Sequence, residues 1–179
     1  MFATKASMRR LISTLAVTSC LLTGSPSVWA QSLPGFTLFS GVKSENQLPY
    51  RLDFGGQVNG WDRYRLRIPA KKMKLAVSEF SILYPNYYKG DFDTKRIDVR
   101  VDKKKLPLQG IKWDKENHIV QIALQQPVPA GKSVELVFSN VKNPSTSGTF
   151  YFNCEILSPG DVPLRRRLGT WIVSINNQD

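Results

Sequence analysis

The sequence predicts an all-β protein with the architecture of an antiparallel, immunoglobulin-like β-sandwich. Apolar residues recur at every second position in several segments, as in 63–68, where tyrosine, leucine and isoleucine alternate with arginine. Such alternation is typical of a strand with one buried and one solvated face. Clusters of proline, glycine, asparagine and aspartate separate these segments at intervals of roughly 8 to 15 residues, which is the spacing expected of a sandwich.

The individual strands follow in chain order from these patterns. The lead-in at 31–47 holds a short apolar stretch at 36–39, which predicts at most a weak first strand. Asp91, Asp93 and Thr94 predict one helical turn, because short polar side chains favour a helix N-terminus. A single sandwich domain is predicted over 48–179, with strands at 64–68, 75–83, 97–101, 120–124, 134–141, 150–157 and 171–175.

Residues 1–30 predict a signal peptide, a helix that is removed on export. Three basic residues among the first ten precede a mostly apolar run at 11–22, and Val28 and Ala30 stand at the two positions that a signal peptidase inspects. Cleavage between Ala30 and Gln31 follows from this pattern. We therefore expect a mature protein in the periplasm or cell envelope, with secretion from the cell as an open alternative.

Cys20 offers a rival to that cleavage site. It follows small residues of the kind that precede a lipidated cysteine in bacteria. We rank lipid anchoring through Cys20 second, because Leu21 and Leu22 prolong the apolar stretch where a polar tether is expected. No apolar run of 18 or more residues follows Ala30, so the sequence predicts no membrane span after signal cleavage.

The chain is strongly basic, which bears on its partners. Its 25 lysine and arginine residues oppose 14 aspartate and glutamate residues, for a formal net charge of +11. The predicted signal holds three basic residues and no acidic one, so the mature chain keeps 22 against 14, or +8. Outside the cytoplasm we expect the partner to be an anionic envelope polymer, a lipid surface or an envelope protein, and not nucleic acid.

Residue counts argue against most enzyme chemistry. His118 is the only histidine and lies directly after a predicted turn at 114–117 and before a strand, so a Ser-His-Asp triad is disfavoured. Cys154 is the only cysteine of the mature chain, and its parity with Phe152 and Ile156 predicts a buried thiol. With Met73 as the one further soft ligand, the spacing predicts no metal site, and we expect no cofactor and no catalytic residue.

Two kinds of segment supply the predicted contact residues. Tyr84, Tyr87 and Tyr88 lie in a loop-prone segment, where their rings would either stack on a sugar or a partner chain, or cover the end of the core. Three basic clusters would form an anionic-surface footprint if their loops converge on one end of the sandwich. The clusters are Lys71, Lys72 and Lys74; Lys103, Lys104 and Lys105; and Arg165, Arg166 and Arg167.

A set of short motifs runs in order through residues 48–175. The motifs are LAVSEFSILYPNYY from Leu75, GDFD from Gly90, IKWD from Ile111, LVFSNVKNP from Leu136 and LGTWI from Leu168. In this order they resemble a cyanobacterial family of uncharacterised exported proteins, the domain-of-unknown-function family 2808. The resemblance implies a cyanobacterial envelope protein and carries over no catalytic or binding residue.

Together these observations predict a non-enzymatic binding or structural module of the periplasm or cell envelope. Two alternatives stay open: an enzyme that acts on an envelope polymer through carboxylates, and a surface-assembly subunit that pairs through an exposed strand edge. Glu135 and Glu155 lie opposite the apolar faces of their strands, which suits solvated positions. Trp61, Trp113 and Trp171 each begin or end a predicted strand, so we expect them to pack in the core or at sheet edges.

Overall fold

Two antiparallel sheets of five strands each pack face to face in the computed structural model, which describes residues 41–160 and 164–177. The strands are β1 (Tyr50–Leu52), β2 (Trp61–Ile68), β3 (Val77–Leu83), β4 (Ile97–Val101), β5 (Lys104–Lys105), β6 (Leu108–Asp114), β7 (Ile119–Val128), β8 (Val134–Lys142), β9 (Gly148–Leu157) and β10 (Arg165–Ile175). One sheet has the order β1-β2-β8-β4-β5 and the other β10-β9-β3-β7-β6. The chain crosses repeatedly between the sheets, as in immunoglobulin-like sandwiches, so the predicted fold class is confirmed.

Each of the seven predicted strands corresponds to a strand of the structure, and three further strands were missed. β1, β5 and β6 are edge or hairpin strands with few buried residues, so their apolar alternation is weak. β5 lies within the basic cluster at 103–105, where no strand was predicted. There Asp102 and Lys103 both have left-handed backbone angles, with φ of 50° and 67°, which closes a two-residue hairpin between β4 and β5.

Helical structure in the described residues is confined to three single turns of 3₁₀ helix, at Ser44–Asn46, Ala70–Lys72 and Thr94–Arg96. The last lies where one helical turn was predicted, immediately before β4. The Asp93 carboxylate accepts a hydrogen bond of 3.1 Å from the Lys95 backbone N–H and thereby caps it.

The core lies between the inner faces of the two sheets. Leu66, Ile68 and Phe138 of the first sheet meet Phe80 and Phe152 of the second within one cluster of buried side chains. Burial of each such side chain stabilises the fold by roughly 1.5–3 kcal/mol. Since Cys154 is the only cysteine among the described residues and is free, this part of the chain is stabilised mainly by that packing. Trp171 is fully buried, as expected, and its indole Nε1 donates across the sandwich to the Arg67 carbonyl at 3.0 Å.

A segment before β1 runs along the edge of β10. The Leu48 N–H donates to the Thr170 carbonyl at 2.8 Å, and Gln47 forms a parallel bridge to the same residue. Gly169 has no room for a side chain, because a Cβ there would lie 2.5 Å from the Asn46 carbonyl oxygen. The backbone therefore packs directly on β10, next to a bulge at Leu168.

The predicted signal peptide, its cleavage site after Ala30, the rival site at Cys20 and the weak strand at 36–39 lie outside the described residues. In residues 41–160 and 164–177, no helix has the length and apolar character needed to cross a membrane.

Candidate functional site: a basic groove at one end of the sandwich

The three basic clusters lie at the same end of the sandwich. In the first sheet, β2 ends at Ile68 and β4 ends at Val101, and both residues pair with Val134 at the start of β8. The lysines at 71–74 follow β2, and those at 103–105 follow β4. In the second sheet, the arginines at 165–167 open β10 beside the end of β9, and β3 starts three residues after Lys74. The loops that carry the three basic clusters therefore converge on one end of the sandwich, as an anionic-surface footprint requires.

Two of the clusters line one groove. A cleft of about 160 Å³ brings Lys72 and Lys74 together with Arg166 and Arg167. A second cleft shares Asn46, Arg167 and Leu168 with the first and adds Lys43. We call the two adjoining clefts the basic groove. Its five cationic residues are Lys43, Lys72, Lys74, Arg166 and Arg167.

Strand alternation separates the three arginines of β10. Arg165 and Arg167 face outward: Arg165 lies 3.8 Å from the Glu79 carboxylate, and Arg167 donates to Asn153 Oδ1 at 2.6 Å. Arg166 pairs with Ile156, a core residue, so its side chain starts on the inner side of the sheet. At the end of the strand it enters the mouth between the sheets, where the groove lies.

The backbone segment on β10 forms the second wall of the groove. Lys43 and Asn46 come from this segment and face Arg167 across the bulge at Leu168. Sequence reasoning missed both residues, because the pattern of 31–47 predicts only a lead-in. The signal that could have found them is Leu48, a buried leucine that follows Lys43 and Asn46 closely in the chain and anchors the segment.

The described residues that line the groove are basic or uncharged. Among the described residues, no carboxylate lines either cleft. In the same part of the chain, the side chains of Lys43, Lys72, Lys74 and Arg166 form no ion pair. Arg167 is held by neutral oxygens only, those of Asn153 and Thr170. Cations gathered in a concave surface reinforce one another's field, so the groove is suited to an anion.

The third cluster lies among acidic residues and contributes less net charge. Lys105 forms a 2.6 Å ion pair with Asp98, and Lys103 lines a separate cleft that also contains Asp102 and Glu135. Asp102 in turn pairs with Lys132 at 3.1 Å. This cluster therefore stands beside the groove without forming part of it.

The three candidate tyrosines are divided by burial. Tyr84 and Tyr88 are 7% and 2% exposed and pack edge to face against each other, so the packing alternative holds for them and they have no surface to offer a ligand. Burial raises the pKa of both phenols above the usual value. Tyr87 is 51% exposed and remains a possible contact residue at the opposite end from the groove.

The structure also places the cysteine, the histidine and a tryptophan that the sequence analysis singled out. Cys154 is buried, as predicted, and burial raises the pKa of its thiol, which disfavours a reactive thiolate. His118 packs edge to face on Tyr84, 5.5 Å between ring centroids, where it serves packing. The expectation for Trp61 was wrong: its side chain is 58% exposed. It shares the outward parity of Arg63, a signal already visible in the sequence.

The fold and the groove together define a class: a β-sandwich domain with an anion-attracting groove at one end. The chain belongs to the family described as Protein of unknown function (DUF2808), whose model matches residues 36–175. This confirms the family resemblance seen in the sequence motifs. No curated protein matches the sequence.

Several solved structures are similar in fold. BslA, a bacterial hydrophobin, is 15% identical with a TM-score of 0.49, and the match covers 74% of this chain and 95% of that one. A collagen-binding domain from a Staphylococcus aureus adhesin is 11% identical with a TM-score of 0.43, covering 73% and 97%. An uncharacterised immunoglobulin-like protein from Nocardia farcinica is 14% identical with a TM-score of 0.40, covering 72% and 97%.

Proposed function

We propose that this protein is an exported, non-enzymatic binding module whose basic groove holds an anionic polymer of the cell envelope. The observation that carries the proposal is the convergence of Lys72, Lys74, Arg166 and Arg167 on one cleft without a lining carboxylate among the described residues. Export rests on the signal pattern of residues 1–30.

The shape of the groove favours a polymer chain over a flat lipid surface. Two adjoining clefts form a concave track, which admits the repeating anionic groups of an extended chain. Arginine and lysine serve complementary purposes there. The Arg166 guanidinium can bind a carboxylate, sulfate or phosphate through two parallel hydrogen bonds, whereas the lysines act as point charges.

Two carboxyl groups of the described chain, those of Asp93 and Asp114, are unsuited to the acid step of glycoside hydrolysis. A glycosidase needs one carboxyl group with a raised pKa to act as the general acid. The pKa of Asp93 is lowered by a hydrogen bond from the Asn140 side chain, and that of Asp114 by one from Asn117. Both carboxyls thus stay ionised, the opposite of what a general acid needs.

The proposal is tested by salt elution of the purified protein from immobilised heparin and immobilised alginate at pH 7, with neutral dextran as the blank support. The triple variant K72E/K74E/R166E removes three groove cations. At about 1 kcal/mol per cation near an anionic surface, the loss corresponds to roughly 100-fold in affinity, and elution should move to much lower salt. Screening explains why salt competes with binding at all.

The matched control is K89E/K95E/K112E, which makes the same change in net charge away from the groove. It should elute close to the wild-type protein, and K103E/K104E should show a small shift, since that cluster lies beside acidic residues. If the groove variant and the control variant weaken binding equally, the effect comes from net charge alone, and the proposal that the groove is the binding site is refuted. Binding to vesicles containing phosphatidylglycerol, with none to either polymer, would refute the choice of a polymer.

A further inference from the structure

A further cleft, distinct from the basic groove and about 370 Å³ in volume, opens at the other end of β2. The eight-residue strand places it ~23 Å from the end that carries the groove, at about 3.3 Å per residue. Its rims carry two of the most exposed large aromatic side chains of the described chain, Phe54 at 61% and Trp61 at 58%. The polar residues that line the cleft with them are Asp62, Arg63, Asp93, Arg96, Ser139 and Asn140. We call this the aromatic cleft.

A β-bulge directs the polar side chains of β8 toward the cleft. In the pairing of β2 with β8, Asp62 lies opposite Val141 and Tyr64 opposite Phe138, so Ser139 and Asn140 together face the single residue Arg63. Asn140 has a left-handed backbone with φ of 58°, which costs energy for a residue other than glycine. Bulges of this kind re-aim side chains and are common beside functional sites.

The polar groups keep hydrogen-bonding capacity to spare. Asn140 Nδ2 donates to Asp93 Oδ2 at 3.0 Å, which orients the amide and leaves its oxygen as an acceptor with no partner among the described residues. Arg63 Nε donates to Ser139 Oγ at 3.1 Å, which leaves the serine hydroxyl hydrogen for another acceptor. The cleft therefore offers donors and acceptors side by side.

The backbone that carries the two rings is held in place. Asp62 is buried, and its carboxylate accepts three backbone N–H bonds: from Phe54 at 2.9 Å, Gly56 at 2.8 Å and Arg63 at 2.6 Å. These bonds tie the loop that carries Phe54 to the strand that begins with Trp61. The rims of the cleft are thus pre-organised, which lowers the entropy cost of binding.

We propose that the aromatic cleft binds a neutral glycan with glucose-configured, β-linked pyranose rings. In such a ring all substituents are equatorial, so each face is a flat array of C–H groups that can lie on Trp61 or Phe54. Sugar hydroxyls both donate and accept, which suits the mixed set formed by Arg63, Ser139 and Asn140. The cleft volume lies within the ~300–1,000 Å³ typical of ligand sites.

An extended peptide fits the cleft less well. A peptide that adds to a sheet needs free backbone groups along a strand edge. Here the Asp62 carboxylate already binds the N–H groups of Phe54 and Gly56, and the Asp53 N–H donates to the Arg63 carbonyl at 3.0 Å. The backbone beside Trp61 is therefore already satisfied. The two rings, by contrast, are more than half exposed, although Lys142 Nζ lies 5.1 Å from the Trp61 ring centroid and Arg63 Cζ 5.9 Å from that of Phe54.

The test is isothermal titration of the full chain with cellohexaose and with chitohexaose at constant ionic strength. We expect the wild-type protein to bind at least one of them, with Trp61 emission shifting to shorter wavelength. W61A and F54A should each weaken binding about tenfold or more, as expected for central aromatic contacts. N140G should weaken it severalfold, because glycine tolerates the left-handed backbone and only the amide is lost.

Two control variants separate glycan binding in the aromatic cleft from anion binding in the basic groove, and the first does not depend on the second. Y151A removes an exposed aromatic ring from the outer face of the other sheet, and K72E/K74E/R166E removes the groove charges; both should bind the hexasaccharides as the wild type does. The inference is overturned if neither sugar binds, if W61A binds as tightly as wild type, or if the cleft captures a β-strand peptide instead. Release of new reducing ends would overturn a purely binding role.

Discussion

Replacing Tyr64 by phenylalanine is expected to destabilise the protein far more than the same change at Tyr88, although the two buried phenols are bonded to each other. Their oxygens lie 3.1 Å apart, and the Tyr64 oxygen lies 2.6 Å from Asn143 Oδ1. Asn143 Nδ2 donates to the Gln57 carbonyl at 2.8 Å, which fixes Oδ1 as an acceptor. Because a hydroxyl has one hydrogen, Tyr64 donates to Asn143 and Tyr88 must donate to Tyr64.

The magnitudes follow from which groups are left without a partner. Y64F leaves two buried groups unsatisfied, the Asn143 amide oxygen and the Tyr88 hydroxyl, at about 1–3 kcal/mol each, or about 2–6 kcal/mol in all. Y88F removes a donor, while the Tyr64 hydroxyl keeps its bond to Asn143. Its cost is the net value of one ordinary hydrogen bond, about 0.5–1.5 kcal/mol.

Equilibrium unfolding in urea of the wild type, both single variants and Y64F/Y88F measures these terms. The double variant should lose less than the sum of the singles, because the hydroxyl that Y64F orphans is absent from it. The reasoning is refuted if Y88F costs as much as Y64F, or if the two losses add.

Three further outcomes are expected. Cys154 should react with a thiol reagent only on unfolding, since the thiol is buried and its pKa is raised; rapid alkylation of the native protein would contradict this. The free energy of unfolding should fall as pH rises above about 10, because Tyr64 and Tyr88 stay protonated in the folded protein at pH values where they ionise in the unfolded chain. A pH series of urea titrations measures this fall, and Y88F should make it less steep. Gly169→Ala should lower the free energy of unfolding by about 1–3 kcal/mol and should also lower the salt concentration needed to elute the protein from heparin, because a Cβ there displaces the backbone wall at Asn46. An unchanged elution point would show that this wall does not contribute to binding.

The class of fold was readable because period-two alternation directly reports a half-buried strand. Tyr64, Leu66 and Ile68 alternate with arginines, and all three apolar side chains are buried. The same logic located Cys154 in the core. It failed at the edge strands β1, β5 and β6, where one side of the strand has no neighbour and burial no longer enforces a pattern.

Only part of the candidate site could be predicted from the sequence. Lysine and arginine clusters are visible in any sequence, but a linear string places Arg165, Arg166 and Arg167 together. In the fold, Arg166 and Arg167 line the groove, whereas Arg165 lies beside Glu79. For Tyr84 and Tyr88 the sequence left two alternatives open, stacking on a ligand or covering the end of the core. The fold decides for the second, because the loop after β3 turns back over the core.

By itself, then, the sequence determined the alternation of strands, the excess of positive charge and the scarcity of histidine and cysteine, since these depend on composition and on neighbours along the chain. Only the tertiary structure decided that Lys43, Lys72 and Arg166 share one groove and that Phe54 and Trp61 flank one cleft. The physical reason is that both arrangements join residues from separate strands and loops. Strand register, the bulges at Leu168 and at Ser139 and Asn140, and the bonds of Asp62 create that proximity, and none of these is encoded in a local pattern.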